Sequence, residues 1–159
     1  LGDVYKRQKY YNARNDSTTR ASRRITSDVF ALATAVLFQS PVQHFALTPN
    51  NLTDAPEWAI NFMKEVPSTW DEVRFFDGYP GKYIILARRH QNKWYIAGIN
   101  ASSEEIKVKL HLPMISAGET ISVYTDNARL VGKTSTEKLN KHQQLQVSIP
   151  CNGGIVIVN

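Results

Sequence analysis

The chain has 159 residues, is 42% hydrophobic and 21% charged, and carries a formal net charge of +5. This is the composition of an ordinary globular domain, and no apolar run is long enough to cross a bilayer as a helix. The charge is spread along the chain and the aromatic residues sit in apolar alternation, which argues against a nucleic-acid partner. A single cysteine, Cys151, excludes an internal disulfide and a multi-cysteine metal site and reads as a small buried side chain.

Residues 1–8, Leu1 to Gln8, resemble an adaptor-derived leader of reading frames from environmental sequencing and are set aside. The natural protein is then expected to continue upstream. From Ser17 to Phe38 the spacing predicts a helix. Ser17, Thr18 or Thr19 caps it, and Ile25, Val29, Leu32 and Val36 form its apolar stripe. Phe30 to Phe38 is apolar nearly all round and should be deeply buried. Arg20, Arg23 and Arg24 crowd its start as a basic turn or as partners for upstream carboxylates.

Ser40-Pro41 ends this helix. Val42 to Ala46 is a short strand candidate, and Leu47 to Asp54 a loop with turn chemistry at Thr48-Pro49-Asn50-Asn51. Thr53 or Asp54 then caps a second helix, with Pro56 in its first turn, Trp58, Phe62 and Val66 on one face, and Pro67 at its end. Helix, buried strand, loop, helix is the repeating unit of an α/β barrel or doubly wound sheet.

After Ser68 the apolar period changes from helical to two. Trp70 to Phe76 is a strand, followed by turns at Asp77-Gly78 and Tyr79-Pro80-Gly81, the latter fitting a type II turn. Tyr83 to Arg88 and Lys93 to Ile99 are strands around a loop at Arg89 to Asn92. Glu105 to Leu112 alternates with Ile106, Val108, Leu110 and Leu112 inward. Thr120 to Thr125, Lys133 to Lys138 and Gln144 to Ile149 follow, with a turn at Asp126-Asn127. Ile155 to Val158 is wholly apolar and should be a central strand. The fold class expected is an α+β chain: an N-terminal remnant of a (β/α)8 barrel, then an antiparallel β-sandwich or Greek-key barrel.

No catalytic set stands out. The couplets Asp71-Glu72 and Glu104-Glu105 point to opposite faces of their strands and make no acid/base pair. His44, His90, His111 and His142 lack metal-ligand spacing. Polar Gln43 and His44 interrupt an apolar strand before a loop, and in α/β barrels such a strand end faces the active site. Gln43, His44, Asn50 and Asn51 are therefore the candidates for substrate contact, against the plainer reading of a histidine hydrogen-bonded in the core. Trp70, Tyr79, Trp94, Tyr95 and Tyr124 can stack on sugar rings, so a non-catalytic carbohydrate-binding module is the alternative. Packing in a sandwich core is the plainer reading of the same aromatics.

Several segments carry a resemblance. Thr19-Arg20-Ala21-Ser22, Phe38-Gln39-Ser40-Pro41-Val42-Gln43, Val66 to Glu72, Asp77 to Tyr83, Ala87-Arg88-Arg89 and Trp94 to Gly98 resemble the C-terminal end of glycoside hydrolase family 97. The likeness runs from about Ser17 to Asn159 and is densest over Val66 to Asn100. It implies that residues 9–68 close a catalytic (β/α)8 barrel, with Val42 to Ala46 as its last strand and Ala55 to Val66 its last helix. Residues 69–159 then form a C-terminal β-sandwich that serves oligomerisation. It further implies a parent enzyme cleaving α-glucosides or α-galactosides, with an oligosaccharide substrate and a calcium ion near the catalytic carboxylates. That parent would be periplasmic or secreted, its signal peptide lying upstream. No position matches the family's catalytic or calcium-binding motifs, so no catalytic, cofactor or metal residue is assigned, and the chain alone is expected to be inactive.

Overall fold

The computed structural model describes residues 25–38, 40–45 and 55–159. Their centre is β8 (Gly154–Val158), whose residues are apolar on both faces. Ile155 and Ile157 point into one core and Val156 into another. A strand buried on both faces must lie between two layers, and the topology puts β8 inside a six-stranded sheet. The strands of that sheet are β1 (Glu72–Tyr79), β2 (Tyr83–His90), β3 (Lys93–Asn100), β5 (Thr120–Asp126), β6 (Gly132–Lys138) and β8, in the order β1-β2-β3-β8-β5-β6. Between β3 and β5 runs β4 (Ile106–His111), and between β6 and β8 runs β7 (Gln144–Ile149). These two pair with each other as a separate two-stranded sheet. All pairings among the described residues are antiparallel.

The two sheets form a β-sandwich. Ile85, Trp94, Ile96, Ile121, Ile155 and Ile157 of the large sheet pack against Leu110, Val147 and Ile149 of the small one. The opposite face of the large sheet carries two helices, α1 (Asp28–Leu37) and α2 (Glu57–Glu65). Val29, Leu32 and Val36 of α1 and Phe62 of α2 pack there with Leu86, Tyr95, Ala97 and Val156. Val29, Leu32 and Val36 are fully buried, and burial of a side chain of this size stabilises by about 1.5–3 kcal/mol.

Local chemistry explains where α1 begins. The predicted start at Ser17 to Thr19 lies outside the described residues, but residues 25–27 are described and are not helical. Ser27 is the N-cap: its hydroxyl accepts from Phe30 N–H at 2.8 Å and donates to the Asp126 carboxylate. The Ser27 N–H donates to Asn152 C=O. A serine cap followed by Asp28 in the first turn is a strong start signal. Ile25, expected on the apolar stripe, precedes the helix and is exposed. The burial expected over Phe30 to Phe38 holds for Ala31 to Leu37.

The strand expected at Val42 to Ala46 does not form over residues 42–45; Ala46 is outside the described residues. Here Ser40 takes over the local hydrogen bonding, its hydroxyl donating to Val42 C=O and accepting from Val42 N–H. Such side-chain bonds compete with a ladder. The second helix starts with Pro56 at its N-cap and no side-chain cap; Thr53 and Asp54 are outside the described residues, as are Arg20, Arg23 and Arg24.

Two turn expectations also change. Asp77-Gly78 is part of β1, where the register against β2 shifts between Phe75 and Asp77. A bulge absorbs what the sequence suggests is a turn. The loop at Arg89 to Asn92 shrinks to Gln91-Asn92, because Arg89 and His90 pair with Trp94 and Lys93. The turn Tyr79-Pro80-Gly81-Lys82 is as expected: Lys82 N–H donates to Tyr79 C=O at 2.9 Å and Gly81 has φ +77°, the left-handed value a type II turn requires. Asp126 closes β5 instead of opening a turn.

Candidate functional site

Of the polar residues singled out in the sequence for substrate contact, Gln43 and His44 are described. Gln43 lies after α1, and its side-chain amide donates to Ala35 C=O at 2.7 Å. It thereby satisfies a carbonyl of that helix. His44 is beside it and exposed. Asn50 and Asn51 are outside the described residues.

The carboxylates are held as surface charges. Glu72 accepts from Arg74 Nε at 2.7 Å and Arg89 Nε at 3.3 Å. The Arg74 hydrogen bond, opposed by some desolvation, holds its pKa below the usual value. Asp71 accepts from Gln91 N–H at 2.6 Å, and Glu105 from the Ser148 hydroxyl. Among the described residues no three His, Cys, Asp or Glu side chains gather closely enough to hold a metal ion. His90 Nδ1 lies 2.9 Å from Thr69 C=O, while His111 and His142 are exposed. Cys151, expected to be buried, is half-buried in the turn before β8, because the close packing in that turn falls to Gly153 and Gly154 instead.

Most of the aromatics proposed as sugar platforms are packing residues. Trp94 and Tyr95 are buried. Trp70 stacks edge-on against Tyr95 at 5.3 Å, and Tyr124 meets Phe62 and Trp58 of α2 at 5.4 and 5.9 Å. Burial raises the pKa of Tyr95 and of Tyr124, with Glu65 adding to both. Only Tyr79 of the five is exposed, at 61%.

Arg88 is a buried cation with a structural task. Its Nη2 donates to Leu37 C=O at 3.0 Å and its Nη1 approaches Phe38 C=O at 3.5 Å. The guanidinium thus sits on the negative end of α1, where the last carbonyls lack intrahelical partners. Burial lowers its pKa.

A surface feature escapes the sequence reading. A groove of about 470 Å³ runs under the β1–β2 hairpin, lined by Phe75, Gly78, Tyr79, Pro80, Lys82, Ile84 and Ile99 among others. Beside it Val73, Phe75 and Tyr79 are large apolar side chains left exposed. The sequence does show Val73 and Phe75 alternating with Arg74, but it does not show that β1 lies at a sheet edge.

With this geometry in place, known proteins supply the family. Residues 69–158 match the family model of the glycosyl-hydrolase 97 C-terminal, oligomerisation domain. A retaining alpha-galactosidase of Bacteroides thetaiotaomicron is 34% identical over 131 residues, covering 79% of this chain and 20% of that protein. The chain thus spans about a fifth of that relative. A crystal structure of a beta-arabinopyranosidase superposes with a TM-score of 0.83 at 47% identity, covering 92% of this chain and 23% of the other. A glycoside hydrolase family 97 enzyme from Pseudoalteromonas sp. strain K8, solved with acarbose, superposes at 0.73 with 23% identity over 86% of this chain and 23% of its own, a likeness of fold. A two-sheet sandwich with helices on its outer face and a family match over residues 69–158 lead to one assignment: the chain belongs to glycoside hydrolase family 97, and its β-sandwich is that family's C-terminal oligomerisation domain.

Proposed function

We propose that this chain is a non-catalytic C-terminal part of a glycosidase and that its work is to hold copies of that enzyme together. The observation that carries the reading is the match of residues 69–158 to the oligomerisation domain. In this reading α1 and α2 close the catalytic barrel, and the sandwich supplies the subunit contact. Residues 9–68 then belong to the barrel and 69–159 to the accessory domain.

The chemistry of glycoside cleavage supports placing the reaction elsewhere. It needs two carboxyl groups flanking the bond, about 5–9.5 Å apart. Asp71, Glu72 and Glu105 of the acidic couplets are instead taken up by the Gln91 backbone, Arg74, Arg89 and Ser148. The catalytic pair, and the calcium ion that serves it, are assigned to the barrel outside these residues. His44, exposed after α1, is assigned with Asn50 and Asn51 to substrate contact in the parent enzyme, while Gln43 holds the end of α1.

For the parent's substrate, two relatives favour one stereochemistry. Their names give an alpha-galactosidase and a beta-arabinopyranosidase. An α-D-galactopyranoside and a β-L-arabinopyranoside share ring configuration and differ by one hydroxymethyl group. A galacto-configured glycoside is the substrate class we assign to the parent, ahead of an α-glucoside. A periplasmic or secreted location fits an enzyme acting on oligosaccharides.

The test uses two differently tagged copies of the chain, co-expressed. Pull-down of one is expected to retain the other, and neither should turn over nitrophenyl α-galactoside. Tagged copies that never co-purify would remove the oligomerisation reading; turnover above a mock preparation would remove the non-catalytic one.

A further inference from the structure

The two edges of the large sheet are unlike. The β6 edge is GKTSTEK, exposed along nearly its whole length, with Lys133, Glu137 and Lys138 and no large apolar side chain. Charged, lysine-bearing edges discourage pairing with another strand. The β1 edge carries Val73 at 51% and Phe75 at 66% exposure, and among the described residues no strand pairs with its outer side. Val73 and Phe75 lie two apart on one face, the face that also carries α1, and they run into the apolar groove under the β1–β2 hairpin.

We propose that β1 is the strand through which two copies of this chain pair, antiparallel and edge to edge about a two-fold axis at Val73. This rests on the oligomerisation reading and names the surface that performs it. Charge selects the register. Across such an axis each residue faces one at an equal distance on the other side. A pairing centred on Glu72 or Arg74 sets a like charge against itself, which destabilises. Centred on Phe75, it sets Arg74 against Phe76 and Glu72 against Gly78, so no opposite charges meet. Centred on Val73, it sets Glu72 of each copy opposite Arg74 of the other and Val73 against Val73. Phe75 of each copy then lies next but one to the central pair and faces Asp71 of the other, whose half-exposed carboxylate can turn to solvent. The bulge after Phe75 turns the strand away and confines the pairing to its first half, since bulges bend and twist an edge. The groove's nearly wholly apolar lining suits a protein surface better than a sugar, whose hydroxyls would lose hydrogen bonds to water without replacement.

The experiment compares dimer dissociation constants, by sedimentation, of the full chain and its Val73→Lys, Phe75→Lys and Ser135→Lys variants. The two β1 substitutions are expected to weaken association at least tenfold, and the β6 control to stay within twofold. As a second measurement, Val73→Cys in a Cys151→Ser background should oxidise to a covalent dimer. Facing Cα atoms across an antiparallel pair are about 4.5–5.5 Å apart, within disulfide reach. The cross-link decides the matter if a lysine variant fails to fold. An oligomer unmoved by both lysine substitutions and not cross-linked through position 73 would overturn this proposal alone. A chain monomeric before any substitution would overturn the oligomerisation reading with it.

Discussion

At Gly154 the first residue of β8 passes so close to α1 that a Cβ there would lie 2.5 Å from Phe30 N and Cα and 2.7 Å from Val29 C. Backbone atoms cannot swing aside as a side-chain tip can. The same spot is stitched by hydrogen bonds: Asp126 accepts from Gly154 N–H at 2.8 Å and from the Ser27 hydroxyl, which itself caps α1. Gly154→Ala must therefore push the helix off the sheet or break this junction. Overpacking of this kind costs about 1–3 kcal/mol, and urea denaturation of the variant should show a loss in that range. Nothing in the local sequence reveals it. Gly153-Gly154 before a strand reads as loop punctuation, because the partner that forbids a side chain lies more than a hundred residues away. Ser27 is equally hidden: serines and threonines at positions 17–19 offer equivalent caps, and only the distant Asp126 distinguishes the one used.

At the scale of elements, the strands of the sandwich were legible because their period of two is a local property. The cleanest, β7, has the expected bounds, and β8 is central as its unbroken apolarity implies. Edges, bulges and hairpin ends were less legible. Gly78 looks like a turn residue, yet it sits in a strand where a Cβ would come 2.9 Å from Tyr83 C=O. The candidate strand at 42–46 has the right residues, but a strand also needs a neighbour, and among the described residues it has none. The docking of α2 makes a prediction at this scale. Tyr95 of β3 and Tyr124 of β5 lie under α2, and their pKa values are raised above the ordinary 10.0 by burial first and by Glu65 second. A raised folded pKa means the stability contributed is fully present below the unfolded value and lost as pH rises through the folded one. Resistance to urea should accordingly fall above pH about 10, and Tyr95→Phe or Tyr124→Phe should flatten that fall. An alkaline limb of unchanged steepness in both variants would contradict the assignment.

At the scale of the molecule, helices and small sheet cover opposite faces of one six-stranded sheet, and among the described residues no strand pairs with the outer side of either edge. One edge is polar and the other apolar, and only the topology reveals that β1 is an edge at all. The sequence resemblance reached the family because the residues of Val66 to Asn100 are distinctive. It could not reach the contact surface, which depends on strand order. The substrate candidates Gln43 and His44 were readable as polar breaks in an apolar run. The structure gives Gln43 a partner in Ala35 C=O and leaves His44 exposed. The central claim, that this chain holds copies together, is tested most directly by its mass in solution. Light scattering over a dilution series should give a multiple of 18.0 kDa that falls toward the monomer only at low concentration. A mass of one chain at every concentration would contradict it.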